Sequence, residues 1–154
     1  MPKVIISDAS CFILLEKIGK LDLLKKTFGE VTTTTAIAVE VRFVLPDWVI
    51  QLDPRDREKV NELELSVDEG EASAIALALE ISNSTLILDD LKARKLATKL
   101  GLEITGTAGV LLRAKNKGIV NSLGPLIDAI QKTNFRFSDA LVEETLRMAG
   151  ESVL

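Results

Sequence analysis

Apolar residues along this chain fall into short β-branched runs separated by longer stretches with helical spacing. Val4-Ile5-Ile6 opens the pattern as a strand buried on both faces. Residues 9–17 and 21–28 follow as two short helices broken at Gly19, with Phe12, Leu15, Ile18, Leu21 and Leu24 in register. After Gly29, residues 30–34 read as a second strand from their β-branched content. Residues 36–45 form a helix stopped by Pro46. Only Glu40 and Arg42 are charged there, so the helix is expected to be largely buried, with Glu40 either escaping to solvent or meeting a partner. Residues 48–52 suggest a short extra strand, and residues 53–64 a charged surface stretch with helical leanings. An almost uncharged helix runs from about residue 67 to 82, then a third buried strand over 85–88 ends in Asp89-Asp90. A helix over 91–100, a strand over 103–105 and helices over 106–117, 123–132 and 139–149 complete the chain, the last capped by Ser138. This alternation predicts an α/β fold, a three-layer α/β/α sandwich with a mostly parallel central sheet. With no repeat, low-complexity tract or linker, residues 1–154 are read as one domain.

Composition narrows the chemistry. Hydrophobic residues make up 47% and charged residues 27%, a globular balance with no stretch near the roughly 20 apolar residues of a membrane span. The first strand follows so soon after Met1 that no signal peptide is expected. The single cysteine, Cys11, cannot form an internal disulfide, which fits a reducing compartment; the expected location is cytoplasmic, with no membrane partner. The chain has no histidine, which excludes Ser–His and Cys–His nucleophile pairs and His-ligated zinc. Cys11 therefore has no histidine to activate it, and its expected job is packing. No Walker A loop, G-x-G-x-x-G after a strand or G-x-S-x-G elbow is present. If the chain is an enzyme, carboxylates and a metal remain. A net charge of −4 argues against holding nucleic acid by bulk positive charge, and 4% aromatics against a base-stacking platform.

Attention then falls on the acids. Asp8 and the pair Asp89-Asp90 each follow a buried strand, so they lie at one edge of a parallel sheet, where open α/β folds place their ligands. Glu40 and Glu71 are nearly isolated charges on two apolar helices. Each has an ordinary reading: Asp8 or Ser10 caps the first helix, Asp68 and Glu71 form a capping box, one of Asp89 and Asp90 caps the helix after it, and Glu40 is solvated. Four carboxylates from four elements repel one another when gathered, and together they make an all-oxygen site for Mg²⁺ or Mn²⁺. The start of the helix at Gly106-Thr107-Ala108-Gly109 offers free backbone N–H groups to an anion. Lys92, Arg94 and Lys95 suit either a phosphate backbone or a solvated helix face.

The ordered set of motifs resembles a PIN domain, the nuclease fold of VapC-type toxins and related ribonucleases. It comprises Asp8-Ala9-Ser10, Glu40, Glu71 opening its apolar helix, Leu86-Ile87-Leu88-Asp89-Asp90 with Ala93-Arg94, and Thr105-Gly106-Thr107-Ala108-Gly109. The Asp-Asp-x-x-Ala-Arg stretch and the closing Ala149-Gly150-Glu151 resemble an uncharacterised prokaryotic branch of that family. The resemblance implies metal-dependent endonucleolytic cleavage of RNA, with Asp8, Glu40, Glu71 and one of Asp89 and Asp90 as Mg²⁺ or Mn²⁺ ligands. By analogy with the family's strand-end aspartate, Asp90 is the favoured fourth ligand. Ser10 and Thr107 match hydroxyl positions that support the acids or the phosphate. Glu71 stands where the toxins commonly carry Asp, one methylene shorter. The resemblance also implies an RNA substrate, an antitoxin partner and a homodimer. Two other readings compete. One is a non-catalytic PIN-like module whose acids hold an ion or a protein. The other is a receiver-like phosphoacceptor, which usually has its acidic pair after the first strand and gives Glu40 and Glu71 no role.

Overall fold

The computed structural model describes residues 3–151. Five strands make one all-parallel sheet: β1 (Val4–Ser7), β2 (Val31–Thr33), β3 (Val49–Gln51), β4 (Ser84–Ile87) and β5 (Ile104–Thr105), in the order β3-β2-β1-β4-β5. The sheet is flanked by α1 (Ala9–Lys17), α2 (Asp22–Phe28), α3 (Thr35–Val41), α4 (Arg57–Leu63), α5 (Glu69–Glu80), α6 (Leu91–Lys99), α7 (Thr107–Asn116), α8 (Gly124–Gln131) and α9 (Asp139–Met148). This is the expected α/β/α architecture, and parallel throughout. Helices α1, α3, α5 and α4 pack in succession, and α2, α7 and α9 form a second set.

The chain begins in the middle of the sheet, winds outward through β2 and β3, then returns to the other side of β1 with β4 and β5. The order therefore reverses between β1 and β4, and the crevice beyond their carboxyl ends is the switch point of the fold. Ser7 pairs with Ile87, and Ile87 with Thr105, so the residues after β1, β4 and β5 emerge side by side. Ile5, Ile6, Val31, Leu86, Ile87 and Leu88 are buried, as parallel strands covered on both faces require. Helix α5 is buried from Ala72 to Ala78, and its four alanines and one serine in that stretch let it lie close against β1 and β4.

Helix α3 departs from expectation. It stops at Val41, because Arg42 adopts the left-handed conformation at φ 60° and ends the hydrogen-bond ladder. Beyond it, Phe43 and Leu45 are half-buried while Val44 is 96% exposed, the period-two alternation of extended chain, consistent with the α-helical region being disfavoured just before Pro46. Nor is α3 largely buried: Ile37 and Val41 are, but Val39 is 73% exposed. Among the described residues no helix is long and apolar enough to cross a membrane.

Candidate active site

Asp8 is fixed by its own strand and by its neighbour's. Thr33 donates its hydroxyl to the Ser7 carbonyl at 3.1 Å, Ser7 donates to the Asp8 carbonyl at 3.0 Å, and the Asp8 amide continues the ladder to Ile87 at 3.1 Å. The carboxylate is 4% exposed. Its Oδ1 accepts the Cys11 N–H at 3.0 Å, capping α1, and its Oδ2 accepts the Asp89 N–H at 3.0 Å. Asp8 is thus the α1 cap that the ordinary reading proposed. A cap, however, does not require a second carboxylate beside it, and the half-buried Asp89 is there. Burial raises the proton affinity of Asp8 well above the usual carboxylate range, Asp89 raises it further, and Glu71 adds a smaller push.

Asp89 and Asp90 divide the two jobs that the doublet allowed. Asp90 is exposed and caps α6, accepting the Ala93 N–H at 3.0 Å. Asp89 turns inward and meets the start of α7: its Oδ1 accepts the Thr107 N–H at 2.8 Å and its Oδ2 the Thr107 hydroxyl at 2.6 Å. The anion facing the free amides of that helix is therefore the protein's own Asp89. Burial raises the Asp89 pKa, while the Thr107 hydrogen bonds and the nearby Arg94 work against the rise. Arg94 is anchored by donating Nη1 to the Leu88 carbonyl at 2.7 Å. Gly106 makes room for this arrangement, since a β-carbon there would stand 2.9 Å from Arg94 Nη1 and 3.0 Å from Asp89 Oδ1. So Asp89, rather than the favoured Asp90, is the residue the fold sets against Asp8.

Glu71 completes the expected capping box: Asp68 Oδ1 accepts the Glu71 N–H at 2.8 Å, and Glu71 Oε1 accepts the Asp68 N–H at 3.3 Å. Its pKa is pushed up to about 7 by burial first, then by Asp68, with Asp90 contributing. Glu40 projects from α3 towards the same helix start, its Oε1 2.8 Å from where a Gly70 β-carbon would stand. Partial burial and Asp68 raise its pKa. Asp68, read from sequence only as a cap, thus links Glu40 to Glu71, and Asp90 and Asp8 extend the field to the switch point. Below this rim the buried hydroxyls of Thr34 and Ser73 share a 2.7 Å hydrogen bond.

Thr107 stands where a residue supporting the acids belongs. Ser10 does not: it lines a separate cavity of about 180 Å³ with Lys17, Asn134 and Phe135. Cys11 is fully buried behind the acid pair, and burial together with Asp89 and Asp8 raises its pKa, so it stays a neutral packing thiol. Ser7 carries no signal in the sequence; Asp68, Arg94 and Gly106 are visible there only as a cap, a cation and part of a helix start, and their contacts with Glu40, Leu88 and Asp89 come from the fold.

Among the described residues, no three acidic or cysteine side chains close on one point as ligands. The donor chemistry nonetheless suits a hard divalent ion. Mg²⁺ keeps several waters and is commonly held through one or two carboxylates, and an aspartate pair with raised proton affinity is relieved by a cation as it is by a proton.

A model of the PIN-domain family matches residues 4–151, and the chain belongs to that family. PIN domains are generally nucleases and typically use divalent metals. No curated protein matches the chain significantly.

Proposed function

We propose that the chain is a Mg²⁺- or Mn²⁺-dependent endoribonuclease that hydrolyses RNA phosphodiester bonds at the Asp8–Asp89 pair. The observation that carries this reading is the pairing at the switch point of a buried carboxylate, Asp8, with a half-buried one, Asp89, joined by the Asp89 N–H to Asp8 Oδ2 bond at 3.0 Å. Capping alone gives no reason for that costly juxtaposition. Asp8 and Asp89 would hold the ion, with Glu71 and Asp90 on the adjoining rim and Glu40 beyond Asp68. When bound, the ion supplies Lewis acidity towards water and phosphate oxygens. The chain's own residues orient the acids: the Cys11 and Asp89 amides fix the Asp8 carboxylate, and Thr107 fixes Asp89 through both oxygens. Arg94, tied to Leu88, keeps a positive charge beside Asp89 where a phosphate would approach.

We propose two partners as well, an antitoxin protein that makes the chain the toxin of a pair, and a second copy in a homodimer. Light scattering of the purified chain tests the second. The nuclease reading is tested by incubating mixed RNAs with the protein in EDTA, Mg²⁺ and Mn²⁺. Cleavage confined to the divalent ions and lost in Asp8→Asn is the expected result; full cleavage in EDTA or by the variant overturns it.

A further inference from the structure

We infer that the cavity beside Asp89 is a nucleotide subsite, which receives the ribose and base flanking the scissile phosphate of a single-stranded RNA; the inference rests on the nuclease reading for its position on the substrate. The cavity has a volume of about 460 Å³ and lies between the starts of α6, α7 and α9. That falls within the roughly 300–1,000 Å³ of small-molecule sites. Asp89 forms part of its wall, so the cavity abuts the acid pair at that residue.

Its other walls have the mixed chemistry of a nucleotide. Arg94 brings a guanidinium with more donors than its one bond to Leu88 uses, enough to hold a phosphate oxygen. Ser138 adds a hydroxyl, which already accepts the Leu141 N–H at 3.1 Å and has its own proton to donate. Leu91 from α6 and Leu141 from α9 supply apolar surface, and they stay 72% and 39% exposed although large aliphatic side chains gain from cover. Gly106 separates this space from the acid pair without a side chain to close it. Leu91, Leu141 and Ile104 offer a base apolar surface, while Arg94 and Asp89 stand where its phosphate would meet a cation. Bases in a duplex are stacked and paired, so a slot of this kind selects single strands.

The test uses Leu91→Ala and Leu141→Gln. Leu141 is the third residue of α9 after its Ser138 cap, so glutamine there completes a capping box, adds no charge, and keeps the helix start. Binding of a fluorescein-labelled single-stranded pentaribonucleotide is measured in Mg²⁺ in the Asp8→Asn background, where the strand survives. A matching strand with abasic sites is measured beside it. Leu141→Gln is expected to weaken the intact strand about tenfold, Leu91→Ala less, and neither to change the weaker binding of the abasic strand. In the otherwise wild-type enzyme, KM should rise in step with kcat unchanged, and preference among cleavage sites should shift. Equal binding of intact and abasic strands, or variants that bind and cleave like their parents, overturns the subsite and leaves the nuclease reading standing. Loss of intact-strand binding in the variants with no cleavage under any metal condition upholds the subsite and removes the nuclease reading.

Discussion

Replacing Asp90 by Asn removes a charge and keeps the α6 cap, because Asn and Asp cap helices about equally. Asp90→Asn is therefore expected to retain most RNA cleavage, while Asp89→Asn and Asp8→Asn each lose roughly 10²–10³-fold, the scale on which one charge-stabilising group counts. Single-turnover cleavage in Mn²⁺ compares the three. Loss in Asp90→Asn with activity kept in Asp89→Asn would return the ligand to the residue that the family analogy favours. Sequence showed that one of the doublet caps the helix, and could not show which. The choice is made by the Asp89 N–H bonding back to Asp8 Oδ2, 81 positions away in the chain, and no local pattern encodes that bond. Ser10 illustrates the same limit in reverse. It lies two residues from Asp8, but a helix turns successive side chains by about 100°, and Ser10 ends on the Phe135 side.

At the scale of elements, the start of α7 is where packing and chemistry meet. Thr107→Val keeps the shape and removes the hydroxyl that serves Asp89 Oδ2. The lost hydrogen bond should cost about 1–3 kcal/mol of stability and weaken Mg²⁺ or Mn²⁺ about 10–100-fold, read by chemical denaturation and by calorimetric titration. Gly106→Ala should act on the metal more than on the fold, since its methyl must push aside Arg94 or Asp89. A contrasting variant lies at the other end of α7. Lys115 donates to Glu151 at 2.8 Å and to the Ala149 carbonyl at 2.6 Å, and the same carboxylate accepts the Leu123 and Gly124 amides at the start of α8. Burial works against the Glu151 charge, but these bonds hold its pKa below the usual range. Lys115→Met should therefore destabilise the protein by about 1–3 kcal/mol with metal affinity unchanged; a fall in metal affinity to match Thr107→Val would show that the α7 effect is general loosening. Most elements were legible because periodicity and caps agreed: α5 carries the expected Asp68–Glu71 box, and α9 the expected Ser138 cap. Helix α3 was misjudged because composition cannot distinguish an apolar helix from an apolar helix followed by an extended segment; the left-handed Arg42 draws that line.

For the molecule as a whole, the raised carboxylates set how stability responds to pH and to metal. The pKa of Glu71 rises from an ordinary 4.5 to about 7 on folding, and that of Asp8 rises well above its ordinary 3.8. An acid whose pKa is higher in the folded chain favours folding in its protonated form. Its contribution is complete below the unfolded pKa and is lost as pH climbs through the folded one. Asp53, Glu103 and Glu151 shift the other way, and their contributions fall away only as pH drops below the ordinary carboxylate range. Between pH 4.5 and about 7 the raised groups govern, so in EDTA the melting temperature should decline across that window. Glu71→Gln should flatten the decline, and Asp8→Asn should raise the melting temperature at pH 7 by removing a buried charge beside Asp89. Divalent ions reverse the trend. They compete with protons for the same oxygens, so their affinity should increase with pH, and at about a hundred times Kd they should add ~2.7 kcal/mol of stability. For a chain of this length that is a rise of very roughly 5–10 °C. The rise should be greatest near pH 8, where the metal-free protein is weakest, and nearly absent in Asp8→Asn. Thermal melts of both proteins at pH 5, 6, 7 and 8, with EDTA or Mn²⁺, check all of this at once. A wild-type melting temperature that climbs steadily to pH 8 in EDTA and ignores Mn²⁺ would leave Asp8 and Asp89 as helix caps and nothing more.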